Sequence, residues 1–472
     1  MNWLKKNRFL IILILIIIIN FSFWSFETIN NPPEFGGDGI RYNDIALNLL
    51  NGQGFVYQGE PSDMAPVFPF FIALIYFVFG QNNYVVFRIF QIVLVILSIL
   101  IIYNISKKIF DERSATVISL LLSIFYGFTI SAQTFGREVL IMFFLCFLLY
   151  LLYQSISTRK AILFFASGVT LGLLALTNGA NQLLFLFIAP TIYIIEIKYL
   201  PRKIVWSNIF IVFIGFLLIA GSWSITNKQI SGSYSLEARE GIILLMRANY
   251  AETLYRDYPA HLIGYTFGYY FSEKLYPDVD VHAFRDRSEL FEREKELRQE
   301  GFSKLEINSI TFKEAIKKIV YMPHKYAAMM FLDFISFNSP FKPQKGEAWA
   351  NMRIHVMFAE GRRPDLSDFE KSTIILTIRL IWLTFFLFVI YGLRWVIKSG
   401  RIASVILILS VIIYFNVIYA SVHAIPRYAE PIYPLYILFF AVGALSFMKQ
   451  FNKFDKVLTY ILRLINPNIY EN

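Results

Sequence analysis

The chain has 472 residues, of which 56% are hydrophobic, 18% aromatic and only 17% charged. That balance excludes a disordered chain and an ordinary water-soluble domain, because the apolar surface exceeds what a soluble fold buries. The net charge of +10 is spread between apolar runs rather than gathered in one patch, which excludes a nucleic-acid footprint. The lone Cys146 excludes a disulfide framework.

In chain order, the opening MNWLKKNRFLIILILIIIINFSFW places basic residues before an apolar stretch. That stretch is too long for a signal peptide and no small-residue cleavage site follows, so it reads as a retained spanning helix. FGGDGIRYNDIALNLLNGQGF (35–55) comes next. Asp38 is a good helix N-cap. Asp38, Tyr42 and Ala46 then share one helix face, and the glycines of NGQGF stop the helix. APVFPFFIALIYFVFG (65–80) is short and broken at its start by Pro66 and Pro69, which predicts an interfacial or re-entrant helix. Further spans are expected near 84–105, 114–131, 138–154, 161–176, 181–196, 205–224, 373–393, 402–421 and 428–447. With the first that makes ten, and up to twelve if doubtful runs count. Before the eighth, LSDFEKSTIIL carries a capping serine, and DRSELFEREKELRQEG (286–301) reads as a charged helix with i,i+4 pairs.

Charge orients these spans. If both termini are cytoplasmic, the inner segments hold 18 Lys/Arg against five acids, Glu196 at the edge included. The segment 225–371 has 21 of each sign. This is the positive-inside pattern of a multi-pass membrane protein. It predicts residues 28–83 and 225–371 on the extracytoplasmic side. The expected division is a transmembrane module over 1–224, an extracytoplasmic domain of mostly helical structure over 225–371, closing helices over 372–448 and a cytoplasmic tail over 449–472.

Ionisable residues at a membrane edge are costly and tend to be functional, and here they fall on the outer side. They are Asp38, Arg41 and Asp44 after the first span, Arg88 at the second, and Arg137 and Glu138 before the fourth. Asn178 and Asn181 lie between the fifth and sixth spans, and Asn227 and Lys228 follow the seventh. His423, Arg427, Tyr428 and Glu430 lie before the last. Any one of them is as easily a polar residue in a short turn; their joint placement is harder to explain that way.

These motifs resemble a family. D-x-x-x-Y-x-x-x-A-x-x-L-x-x-G-x-G-F from Asp38, the proline-flanked APVFPFF and FRIFQ at the second span are similar to the GT-C glycosyltransferases. The dolichyl-phosphate-mannose–protein mannosyltransferase-like branch, which includes the aminoarabinose transferases, is the nearest in pattern. SAQTFGREVLIMFF, the glycine-rich ASGVTLGLLALTNG, SWSITNKQ, KEAIKKIVYMPHKY and IPRYAEPIYP follow that branch in order over about 440 residues. The resemblance implies an all-α GT-C fold. It also implies an inverting enzyme that moves a sugar from a polyprenyl-phosphate donor to a lipid, glycan or protein acceptor on the extracytoplasmic side. Asp38 is then the candidate general base, with Glu138 orienting the acceptor or tuning Asp38. Arg427 and then Arg137 are the candidate phosphate ligands. Arg88, Tyr42, Tyr428, His423 and Asn227 complete the expected donor and substrate site.

The chain departs from the pattern at Asn178 and Thr226, where arginines are usual, and at Gly39, where a second acid is common. Either the donor is unusual or Arg88, Arg137 and the outer segment supply the charge. No cofactor is implied. The DVD triplet at 278–280 has no βαβ surroundings, and the five histidines (His261, His282, His324, His355, His423) lack metal-ligand spacing, so a divalent metal is possible but not indicated. The rival readings are a transporter or flippase of a lipid-linked glycan, which would carry charges at mid-membrane and repeated halves, and a catalytically silent GT-C relative.

Overall fold

The computed structural model describes residues 8–25, 37–231, 234–237, 240–281, 288–339 and 367–469. Hydrocarbon offers the backbone no hydrogen-bond partners, so each apolar run closes its own N–H and C=O groups in a helix. The first half comprises α1 (Arg8–Ser25), α2 (Gly37–Leu50), the two-residue strands β1 (Val56–Tyr57) and β2 (Glu60–Pro61), α3 (Val67–Phe79), α4 (Tyr84–Ile109), α5 (Glu112–Ile124) and α6 (Tyr126–Gln133). Next come α7 (Glu138–Thr158), α8 (Ala161–Thr177), α9 (Phe185–Glu196), α10 (Arg202–Phe216) and α11 (Ser222–Ser231). The segment predicted to lie outside forms α12 (Glu240–Arg256), α13 (Tyr258–Phe267), α14 (Tyr269–Leu275), α15 (Ser288–Gln299), α16 (Lys304–Tyr321) and α17 (Pro323–Phe337). The chain closes with α18 (Asp368–Lys398), α19 (Ile402–Val422), α20 (Tyr433–Met448) and α21 (Asn452–Ile465).

Among the described residues, seven helical runs are long and apolar enough to cross a membrane, or eight if the bent pair α5/α6 is one span. α1, α3 and α8 are shorter apolar helices. The chain is an integral membrane protein. Helix crossings use small residues, as expected where no hydrophobic force draws helices together in lipid. A side chain at Gly168 of α8 would strike the Val212 carbonyl of α10, and one at Gly392 of α18 would strike the Phe439 carbonyl of α20.

Four expectations need correcting in detail. The span expected at 114–131 is broken by 51° between α5 and α6. Asn20 of α1 enters the break, its amide donating to the Ser123 carbonyl and to Thr129 Oγ1, both at 3.1 Å, which satisfies a carbonyl that the broken ladder releases. The seventh span runs on past 224, through a π-helical stretch at Leu217–Gly221 into α11. The last one starts as 3-10 helix at Pro426–Ile432, where Pro431 denies a backbone donor. Asp38 is in the first turn of α2, which begins at Gly37, rather than its N-cap. The tail forms α21, held by Arg113–Asp455 at 2.5 Å and by Asn466 donating to Glu112 and Thr116, each at 2.8 Å. Ser367 caps α18 as expected: its hydroxyl accepts from Glu370 N at 3.3 Å and the Glu370 carboxylate accepts from Ser367 N at 2.8 Å.

Three features set the frame of the site. α2 lies on α3, with Tyr42 edge-on to Phe68 at 5.0 Å and Tyr76 OH donating to Asn43 at 2.7 Å. Within the segment after α11, a buried Arg247–Asp333 ion pair joins α12 to α17. Tyr326 OH donates to the Ser421 carbonyl, fastening α17 to the end of α19.

Candidate active site

The beginning of α7, the beginning of α2, the α8–α9 turn, the end of α19 and the 3-10 segment Pro426–Ile432 meet at one end of the bundle. Glu138 opens α7 and is buried. Its Oε1 is 2.9 Å from Nε of Arg427. Gly136 permits this, since any side chain there would strike the Glu138 carboxylate. A second buried carboxylate, Glu430, accepts from Ser131 Oγ of α6 and lies within electrostatic reach of Arg427. Arg427 also covers the Tyr428 ring at 5.6 Å.

Arg137, one residue before α7, turns the other way. Its Nη1 donates to the Thr177 carbonyl at 3.3 Å and pairs with Glu237 at 3.4 Å. The other Glu237 oxygen accepts from Gly179 N at 2.9 Å. Asp38 acts electrostatically on Tyr42, Arg137 and Arg427 together, which brings the opening motif to the same region. Tyr42 is almost fully buried. Burial pushes its phenol up, so it remains a neutral donor at ordinary pH.

A cavity of about 260 Å³ adjoins these groups. Arg137, Glu237, Tyr419, His423 and Tyr428 line it, and Ile243 and Leu244 of α12 with Phe312 of α16 close one side. Asp38, Glu138 and Arg427 are beside it rather than in its wall. Tyr428 packs against Tyr419 at 5.1 Å with the rings tilted, and meets His423 edge-on at 5.9 Å. Asn178, at the family's arginine position, donates to Tyr419 OH at 3.0 Å, so this departure is filled by a hydrogen bond that orders the cavity wall.

Two further expected site residues are also absent from the cavity wall. Arg88 is buried in α4, one turn before Gln91, whose amide donates to the Gly136 carbonyl at 3.2 Å; the cavity wall does not include it. Asn227 is buried in α11 and donates to the Ser235 carbonyl at 2.7 Å. It holds the backbone two residues before Glu237 and does not line the cavity. Glu237 itself was not singled out in the sequence, because SYSLEARE carries no motif and its partners lie about 60 and 100 residues away. Among the described residues, no three His, Cys, Asp or Glu side chains gather as a metal site. His282 and His355 lie outside the described residues.

Residues 63–223 match the family model described as dolichyl-phosphate-mannose-protein mannosyltransferase. The whole chain superposes on the archaeal oligosaccharyltransferase AglB from Archaeoglobus fulgidus, in complex with an inhibitory peptide and a dolichol-phosphate. That match has TM-score 0.55 and 14% identity and covers 100% of this chain and 53% of that one. The chain has the GT-C fold. A crystal structure of an Archaeoglobus fulgidus oligosaccharyltransferase in the apo form gives TM-score 0.53 at 15% identity, covering 100% of this chain and 54% of that one. An uncharacterized protein of Aquifex aeolicus (strain VF5) is 25% identical over 222 residues, 46% of this chain and 43% of that protein. The chain spans about half the length of the proteins it matches.

Proposed function

We propose that this GT-C chain is a membrane glycosyltransferase that takes a sugar from a polyprenyl-phosphate donor and gives it to an acceptor at the extracytoplasmic face, both termini being cytoplasmic. The observation that carries the reading is the convergence of Asp38, Glu138, Arg137 and Arg427, contributed by widely separated stretches, at one end of the bundle. A polyprenyl tail has to stay in lipid while its phosphate and sugar sit at the interface, and a site at helix ends meets that demand. In the proposed step Asp38 takes the proton of an acceptor hydroxyl as its oxygen bonds to the anomeric carbon. The bond from that carbon to the phosphate oxygen breaks with inversion, and the phosphate leaves with the electron pair. Arg137 or Arg427 holds the departing charge, since a guanidinium matches phosphate geometry. Glu138 keeps Arg427 in place by the ion pair between them.

The test uses the full chain in lipid vesicles with a radiolabelled polyprenyl-phosphate sugar and a panel of lipid, glycan and peptide acceptors. Transfer by the native protein and its loss in Asp38→Asn, with donor binding retained, is the expected result. Equal transfer by both proteins overturns the role of Asp38. No transfer to any acceptor, with the donor still bound, favours a non-catalytic relative.

A further inference from the structure

On the far side of α19 from the candidate active site is a second, larger cavity of about 1240 Å³ between α17, α18, α19 and the start of α20. We propose that it binds an anionic glycerophospholipid, with the headgroup phosphate at Arg379 and one chain laid along α18. The site is independent of the proposed transfer chemistry. α19 divides the two cavities: Val417 and Ala420 face this one, whereas Tyr419, Val422 and His423 face the other.

Two observations point to a lipid. The first is the character of the walls. Phe331, Leu380, Leu383, Ile390 and Ile413 line the groove and are each more than half exposed, so its long side opens to the bilayer. The second is Arg379, a cation inside an otherwise apolar span. Its apolar surroundings begin at Ile374, so it sits about 8 Å below the start of that stretch, at 1.5 Å per residue. That is the depth of a headgroup rather than of the bilayer centre. From Arg379 to Leu393 the groove wall runs for roughly 21 Å of helix, more than half of a hydrocarbon core of roughly 30 Å.

The polar chemistry of the groove singles out this one cation. Asn338, Asn416 and Tyr436 satisfy one another in a closed triangle of hydrogen bonds at 2.7, 2.7 and 2.9 Å. Arg379 donates to the Tyr265 carbonyl at 3.1 Å and to Ser339 Oγ at 3.4 Å, both from Nη1. Among the described residues no carboxylate pairs with it, and the ionisable group acting on it is the Tyr269 phenol. Its remaining donors form the fork that suits a phosphate. A charged residue in a span is by default functional and needs a partner; here the complementary partner is an anionic headgroup whose tail fits the adjoining groove.

The full chain, purified in a neutral detergent, is examined by native mass spectrometry and thermal melting with dioleoylphosphatidylglycerol or dioleoylphosphatidylcholine. The expected result is retention of the glycerol lipid at least tenfold above the choline lipid, with a melting rise of several degrees. Arg379→Gln is expected to abolish the preference. Ile413→Trp, at a wall position more than half exposed, is expected to lower retention of both lipids by filling the groove while leaving the melting temperature in detergent alone close to that of the native protein. Equal retention of the two lipids by the native protein overturns the proposal, as does phosphatidylglycerol binding that neither substitution alters. Retention of a polyprenyl phosphate alone also overturns it, because the groove then belongs to the donor. No lipid effect at all overturns it as well.

Discussion

Glu138 and Arg427, 289 residues apart in the chain, form an ion pair at 2.9 Å at the rim of the bundle. The carboxylate is almost wholly buried, and the guanidinium keeps part of its surface open. A buried charge that loses its partner is costly, while the pair as a unit adds less to stability. Glu138→Gln and Arg427→Gln should therefore each lower the thermal midpoint in detergent. The double variant should recover part of the loss, with a coupling energy of about 1–3 kcal/mol. Additive losses would mean that the pair is not energetically linked.

Glu237 places a carboxylate where Arg137 and the Gly179 N–H could otherwise face an anion. If a donor phosphate uses Arg137, Glu237 competes with it. Glu237→Gln is expected to tighten binding of a polyprenyl phosphate by about tenfold, equivalent to about 1.4 kcal/mol, with a smaller gain in high salt. Binding measured by native mass spectrometry decides this. Weaker binding in the variant would make Glu237 the group that positions Arg137.

Gly168 contacts the backbone of α10 so closely that a side chain cannot enter, whereas a Cβ at Gly221 meets only Leu217 Cδ2 at 3.9 Å. Gly168→Leu should cut the yield of monodisperse protein and its melting temperature sharply. Gly221→Ala should change both little. Size-exclusion chromatography and a melting curve on each variant check the contrast.

The capping box of Ser367 and Glu370 closes the first turn of the 31-residue α18. Ser367→Ala removes one side of it and is expected to cost about 1 kcal/mol. Hydrogen exchange should rise at the first-turn amides and stay unchanged near Lys398. Uniform exchange along the helix would show that the box does not govern this end.

Most of the architecture was legible because lipid leaves the backbone little choice. An apolar run must form a helix, so α4, α7, α18 and α19 could be read from hydropathy and α2 from its 3.6-residue spacing and terminal glycines. The breaks were less visible. The bend at Phe125 depends on Asn20, which lies over 100 residues away, and no local propensity announces it.

The candidate site divides along the same line. Composition and charge by themselves pointed to a multi-pass membrane protein with its polar residues drawn to one side, and the resemblance to the GT-C pattern then singled out Asp38, Glu138, Arg137 and Arg427 as separate candidates. Only the tertiary structure decided which charges meet: Glu138 with Arg427, Arg137 with Glu237, and Asn227 with a backbone carbonyl instead of the cavity. The physical reason is range. Hydropathy and helix period act over neighbouring residues, whereas an ion pair is set by where helix ends come together, and that depends on close crossings such as those at Gly168 and Gly392.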